Sequence, residues 1–337
     1  MPVGFRTSSK VFLTTVSLIW LASASFSVAA DLVVQVPSGW SPDPFVYATN
    51  GENVAVALES TDGLEHRVMQ VRGTTVNYTD VAGPIKSLEY AADSKYLLVH
   101  HMAQDSYKAS LLNEYGDTQW TKVASPAAFE FTSTGEAVAS WISGDVHGSS
   151  QWLRVYDLNG DLIGRFDATG RILAAASFGN GKDVVVVLGR TIMAFDLAAP
   201  SIAKWQIDLA DDFPGVEELR ILGEDRFALQ LALGYHRVYD TSGTLLFEWD
   251  PIVLAQGDPS RTEEDYRQYK PFRWSENEIF MYDRTADGMI LNVLTSTITP
   301  QSIDTSVPPG YSRNEFGFSG KKLVFMAPTT IRIRTLQ

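Results

Sequence analysis

None of the 337 residues is a cysteine. That absence excludes thiolate nucleophiles, cysteine-ligated metals, covalent c-type haem and any disulfide framework. Small exported domains lean on disulfides because their cores are small; a chain of this length can bury enough apolar surface without them. Long apolar runs are scarce too. Beyond residue 30 no stretch approaches the ~18 to 20 residues that span a bilayer, and the longest, Asp183-Val-Val-Val-Val-Leu-Gly189, has the length of a strand. Basic clusters are also missing. Lys and Arg number 27 against 40 Asp and Glu, a formal net charge of −13, and the densest basic spot is the pair Lys321-Lys322. Phosphate contacts need clustered Lys and Arg, so neither nucleic acid nor an anionic membrane surface is an expected partner. Helical periodicity is nearly absent, with Pro251 to Gln268 the one stretch suited to a short helix. No phosphate-cradling glycine loop, G-x-S-x-G elbow or H-E-x-x-H pair occurs.

What is present begins with an address. Arg6 and Lys10 precede a mostly apolar run from Val11 to Trp20, and Val28-Ala29-Ala30 places small residues before Asp31. This is the pattern of a secretory signal peptide over residues 1–30. The expected product is a single monomeric domain from 31 to 337, periplasmic or secreted, with no membrane span.

Within it a phrase recurs: two apolar residues in alternation, a polar turn, then a strand rich in Val, Leu and aromatics. It reads Phe45-Val-Tyr47, Leu88-Glu-Tyr90, Phe129-Glu-Phe131, Ala176-Ser-Phe178, Leu219-Arg-Ile221, Phe272-Arg-Trp274 and Phe316-Gly-Phe318. The last residues of successive copies step by 43, 41, 47, 43, 53 and 44 positions. A second phrase, Arg-Val-Tyr-Asp, starts at Arg154 and again at Arg237, each time with a glycine three residues after the Asp. Units of about 40 to 45 residues holding four short strands are the signature of a β-propeller. The fold expected is therefore all-β, a seven-bladed β-propeller with four-stranded antiparallel blades; six or eight blades are the alternatives. Three strands follow Tyr311, and Asp31 to Val36 supplies an orphan strand that would complete the last blade and hide two edges.

The phrase apolar-x-apolar-Tyr/Phe-Asp-x-x-Gly stands as Val155-Tyr156-Asp157-Leu-Asn-Gly160, in part as Ala194-Phe195-Asp196, and as Val238-Tyr239-Asp240-Thr-Ser-Gly243. In it the chain resembles the superfamily of WD-repeat, YVTN and pyrroloquinoline-quinone-type propellers, over essentially all of 31–337. It departs from WD repeats in lacking Gly-His pairs, with Trp249-Asp250 its one Trp-Asp, and from the quinone enzymes in lacking adjacent cysteines. The resemblance implies a loop-borne function on a repeated scaffold.

The loops between second and third strands, and those joining units, should share one face, which is where partners bind in such scaffolds. On it Asp145 and His147, with Arg284, Asp283 and Asp287, are the candidate catalytic groups, because a carboxylate beside an imidazole suits general acid–base work. Asp62, Asp105, and Arg261, Tyr266 and Tyr269 of an insertion at about 250–270 are the candidate binding residues, the insertion reading as a lid or docking loop. His100 and His101, adjacent on a strand, must point to opposite faces and read as packing residues. Asp157-Leu-Asn159-Gly-Asp161 resembles a calcium loop but has Leu162 and Ala168 where glycine and glutamate are needed; it reads as a turn. No metal and no cofactor is expected. The leading expectation is a non-catalytic scaffold for a protein or cell-envelope component. A lyase or hydrolase with a charged site near the axis is the alternative, and a quinone or metal held between several units is a third reading.

Overall fold

The computed structural model describes residues 31–335 except 51–52, 92, 125–126, 133, 143–150, 169, 179–180, 210–214, 223–224, 275–277, 283–286, 294, 296, 303–307, 312–315 and 320–321. The expected leader, 1–30, lies outside the described residues.

The described residues form seven four-stranded antiparallel sheets arranged as propeller-like blades. Sheet I holds β2 (Trp40–Asn50), β3 (Asn53–Ser60), β4 (His66–Arg72) and β5 (Thr75–Val81). Sheet II holds β6 (Ile85–Tyr90), β7 (Tyr96–Ala103), β8 (Ser106–Asn113) and β9 (Thr118–Val123). In sheet III are β10 (Ala127–Phe131), β11 (Ala137–Ile142), β12 (Gln151–Asp157) and β13 (Leu162–Ala168). Sheet IV comprises β14 (Ile172–Ser177), β15 (Asp183–Leu188), β16 (Thr191–Asp196) and β17 (Ala203–Asp208). Sheet V comprises β18 (Val216–Leu222), β19 (Arg226–Leu231), β20 (Tyr235–Asp240) and β21 (Leu245–Trp249). Sheet VI has β22 (Lys270–Trp274), β23 (Glu278–Tyr282), β24 (Asp287–Asn292) and β25 (Thr297–Ser302). Sheet VII joins the two ends of the described residues: β26 (Phe316–Ser319), β27 (Lys322–Ala327) and β28 (Thr330–Thr335) are completed by β1 (Leu32–Gln35). The expected pairing is thus observed, Leu32 to Gln35 running antiparallel to Ile333 to Thr330. Arg334 Nε donates to Asp31 Oδ1 at 3.1 Å and ties down the first described residue.

A sheet with alternating apolar residues must bury both faces, and here each packs on its neighbours. Val46, Ala57 and Val68 of sheet I meet Leu88 and Leu97 of sheet II; Leu98 and Leu111 of sheet II meet Phe129 and Val138 of sheet III. Sheets III and IV, IV and V, and V and VI share clusters in the same way. β22 lies against β26, and sheet VII packs on sheet I through Val324, Ile331, Val54 and Leu58. The leading strands also touch one another, β2 with β6 and β26, β6 with β10, and β14 with β18.

The loops between second and third strands share a face with the connections between sheets, as expected. Met102 N donates to Pro84 O, Ala232 N to Gly215 O, Leu209 N to Arg190 O and Val36 N to Thr329 O, each bond tying one kind of loop to the other. The opposite face carries the tight turns, and there the repeated phrase has a physical role. The Asp157 carboxylate accepts from the N–H of Asn159 and Asp161, that of Asp240 from Ser242 and Thr244, and the Asn113 side chain from Tyr115 and Asp117. The glycine that follows has positive φ, 90° at Gly116, 89° at Gly160 and 84° at Gly243. Each of the three abuts the outer strand of the preceding sheet: Gly116 meets Thr79, Gly160 meets Trp120, and Gly243 meets Trp205 and Ile207. The turn is therefore a wedge between sheets, and a Cβ at Gly116 would stand 2.5 Å from Thr79 Oγ1. Tyr239 lies in the core shared by sheets IV and V, and Tyr156 against that of sheets II and III, stacked on Phe129.

The insertion after Trp249 folds as two short helices, α1 (Pro251–Gly257) and α2 (Glu263–Arg267). Asp250 caps α1 by accepting from the N–H of Ile252 and Val253, and Thr262 with Asp265 forms a capping box on α2. Tyr266 and Tyr269, expected on a docking surface, are 3% and 0% exposed. They pack with Trp249, Leu254 and Ile279 between sheets V and VI. The caps turn the polar residues outward and the tyrosines inward, so the insertion is anchored rather than a free lid.

Candidate functional site

The antiparallel registers define equivalent levels on the leading strands. Opposite the third residue of each second strand stand Ala48, Glu89, Glu130, Ala176, Arg220, Arg273 and Gly317 in sheets I to VII. In sheet I the level falls on Ala48 rather than Val46, and in sheet IV on Ala176 rather than Ser177. The sequence alignment was out of step at both places. Four of the seven positions are charged, although the adjoining Leu88, Tyr90, Phe129 and Leu219 are apolar and buried.

Three of these charges act on one another across sheets. Burial raises the Glu89 carboxyl from 4.5 to about 7, with Arg220 and a hydrogen bond from the Phe131 backbone pulling it down and Glu218 pushing it up. Burial raises Glu130 to about 8, reinforced by repulsion from Glu89 and from Glu218 and opposed by Arg220. For Arg220 burial works against its charge, but Glu218, Glu89 and Glu130 outweigh it and hold the guanidinium protonated. Arg220 Nε donates to Glu218 Oε1 at 2.5 Å, and their side chains keep 47% and 33% of their exposure. Glu89 and Glu130 are half-buried. The groups are thus surrounded by protein and yet reach solvent, as in an opening lined by several strands. Sheets II and V are not neighbours, so their mutual influence requires the leading strands to converge.

Glu89 and Glu130 are each the last residue but one of β6 and β10. The level therefore lies near the tight-turn face, away from the loop face on which sequence reasoning placed function. Chemically, two carboxyls that hold protons near neutral pH beside a guanidinium can bind charged groups or exchange protons. Among the described residues no group of three or more His, Asp or Glu is placed to hold a metal ion.

The residues expected from sequence do not gather there. Asp145 and His147, and Asp283 and Arg284, lie outside the described residues. Asp287 opens β24 opposite Ser302, its side chain outside what is described. Asp62 is exposed, and its carboxylate accepts from Ser60 Oγ at 2.6 Å and Leu64 N at 3.1 Å, bonds that hold it below the usual carboxylate range and shape its own loop. Asp105 sits at φ 58° in the exposed turn between β7 and β8. Arg261 pairs with Asp258 at 3.8 Å and bonds the Tyr269 hydroxyl. The two adjacent histidines diverge as expected: His100 Nε2 meets Phe129 O at 3.1 Å, and His101 Nε2 meets Ser110 Oγ at 2.9 Å. Sequence reasoning missed Glu89, Glu130 and Arg220, yet each is the middle residue of a phrase it had aligned. The signal was a charge held between two apolar residues, at one position, in four of seven copies.

No family model matches the chain, and no curated protein matches it.

Proposed function

We propose that the chain is an exported seven-bladed β-propeller and a non-catalytic binding module for a protein or cell-envelope component. Recognition is centred on the charged level of its leading strands. The seven sheets, their packing from each to the next and from VII to I, and the joining of the two ends in one sheet support the ring. The observation that carries the function is the convergence of Glu89, Glu130, Glu218 and Arg220 from three sheets. Carboxyls pushed toward neutrality cost stability, and such groups concentrate where a protein does its work. The test uses the mature chain immobilised against a native envelope extract, beside the isosteric double variant Glu89→Gln/Glu130→Gln. Specific capture by the parent that the double variant loses, with its fold intact by circular dichroism, supports the reading. Equal capture by both removes the axial level from recognition.

Acid–base catalysis is a second reading that the same groups favour, since a carboxyl near neutral pH beside a guanidinium is what proton transfer needs. Here Glu130 would supply the proton and Arg220 would steady developing negative charge. A turnover lost in Glu130→Gln while ligand binding persists would decide for the enzyme.

A further inference from the structure

Among the described residues, Ser94, Gln104, Asp105 and Leu233 hold a positive φ without being glycine. The first three are polar residues of turns. Leu233 is a large apolar side chain, 59% exposed, at φ 64° and ψ 21°. Left-handed backbone disfavours a side chain of this kind, and Asn or Gly would adopt it more readily. Neither packing nor backbone preference therefore explains a leucine at this position.

Its setting is fixed. Ala232 N donates to Gly215 O at 2.7 Å, and Gly234 lies so close to α2 that a Cβ on it would stand 2.8 Å from Arg267 O. Burial raises the adjoining Tyr235 hydroxyl above its ordinary 10; Asp250, Glu263 and Glu248 push the same way and Arg267 opposes them. The turn thus stands where the cap of α1 meets α2. The N–H groups that Asp250 caps belong to Ile252 and Val253, which are 40% and 53% exposed. Three large aliphatic side chains are presented at one corner of the loop face, on an insertion that the buried Tyr266 and Tyr269 anchor.

We propose that this corner docks a protein segment carrying apolar side chains beside Lys or Arg. The aliphatic trio selects an apolar anchor, and the surrounding charge selects the sign. From Asp250 to Arg267 there are five acids against Arg261 and Arg267. Both arginines are paired, with Asp258 and Glu263, while Glu264 and Asp265 stand exposed. The rim is therefore net negative and steers a basic partner. A second copy is disfavoured, because a two-fold contact would set the acidic rim against itself on a chain of net charge −13. An anionic membrane would be repelled in the same way. The corner lies on the loop face, away from the charged level of the leading strands, so a module with both surfaces could bridge two partners.

The experiment selects a random displayed peptide library on the immobilised mature chain and measures the selected peptides, made synthetically, by fluorescence anisotropy. They should combine apolar residues with Lys or Arg and bind more weakly as salt rises. Leu233→Asn suits the positive φ, and Ile252→Gln/Val253→Gln suits an exposed helix. Each should weaken binding about tenfold, the scale of a lost interface anchor, while the melting temperature holds or rises. A fall in melting temperature for Leu233→Asn would show that the leucine serves the fold, and would overturn the proposal. Peptides that are acidic, or that bind parent and variants alike, would overturn it too, as would a selection that yields none. Parent self-association in sedimentation that Leu233→Asn abolishes would assign the corner to a second copy instead, and flotation with phosphatidylglycerol vesicles would assign it to a membrane.

Discussion

Glu89→Gln/Glu130→Gln should make the protein more stable at alkaline pH, although it removes two charges that attract a nearby arginine. Burial raises Glu89 from 4.5 to about 7 and Glu130 to about 8. Between pH 4.5 and 8 the folded protein therefore holds protons that the unfolded chain has already released. Its stability is full below about pH 4.5 and declines as pH rises through 7 and 8. One pKa unit corresponds to about 1.4 kcal/mol, so the two shifts taken singly set ceilings of about 3 and 5 kcal/mol. The shifts share one mutual repulsion, and both side chains keep partial contact with water, which screens them; about 2 kcal/mol for the pair is the working magnitude.

Urea unfolding at pH 5, 7 and 9 checks this directly. The difference between parent and double variant should grow by about 2 kcal/mol in favour of the variant from pH 5 to 9, or about 4 °C in melting temperature for a domain of this size. Taking the difference cancels every other titrating group. Arg220→Met should act oppositely, destabilising most at pH 9, where three carboxylates would face one another without their counter-charge. A difference that stays constant across the range, or one that favours the parent at pH 9, would refute the convergence of the three sheets.

The remaining predictions concern the scaffold. Burial lowers His236 to about 4, so it folds neutral, and stability on its account is full above its ordinary 6.5 and lost as pH falls toward 4; its ring proton resonances should not titrate between pH 8 and 5.5, and a midpoint near 6.5 would contradict the packing. Gly116→Ala places a Cβ 2.5 Å from Thr79 Oγ1, whereas Gly39→Ala, at the similar φ of 85°, meets nothing within 4 Å. Both incur backbone strain of about 1 kcal/mol, but Gly116→Ala should cost about 1 to 2 kcal/mol more; equal losses in chemical denaturation would show that the wedge between sheets I and II is absent. Trp249→Ala empties the centre of the core between sheets V and VI and should cost about 3 to 5 kcal/mol, a melting measurement within a degree of the parent being the contrary result.

Much of the fold was legible because repetition multiplies weak signals. No single copy of Leu88-Glu-Tyr90 or Val155-Tyr156-Asp157 identifies a strand, but a constant step forces the same local structure on every unit. The Asp–Gly turns were readable for the same reason: a carboxylate closing its own turn and a glycine at positive φ are local requirements. That Gly116, Gly160 and Gly243 also press on the sheet before them was not readable, because it depends on how units dock. Phasing failed in sheets I and IV, where the true levels are Ala48 and Ala176, because spacing along the sequence does not fix which residues pair across a hairpin. Tyr266 and Tyr269 misled for a different reason. Charged residues around an aromatic suggest a surface, yet capped helices of five and seven residues can turn the ring inward while Glu264 and Asp265 stay exposed.

The charged level shows why searching only the variable loops is the wrong rule for a repeat protein. Residues flanking Glu89 and Glu130 are held apolar by packing between sheets, and so they repeat. Glu89, Glu130 and Arg220, the middle residues of three phrases, act on one another where the leading strands converge, whereas at the same level Ala48 and Ala176 belong to the cores between sheets. Packing alone would fill such positions with small or apolar residues, as it has in sheets I, IV and VII. Charges there lower stability unless something meets them.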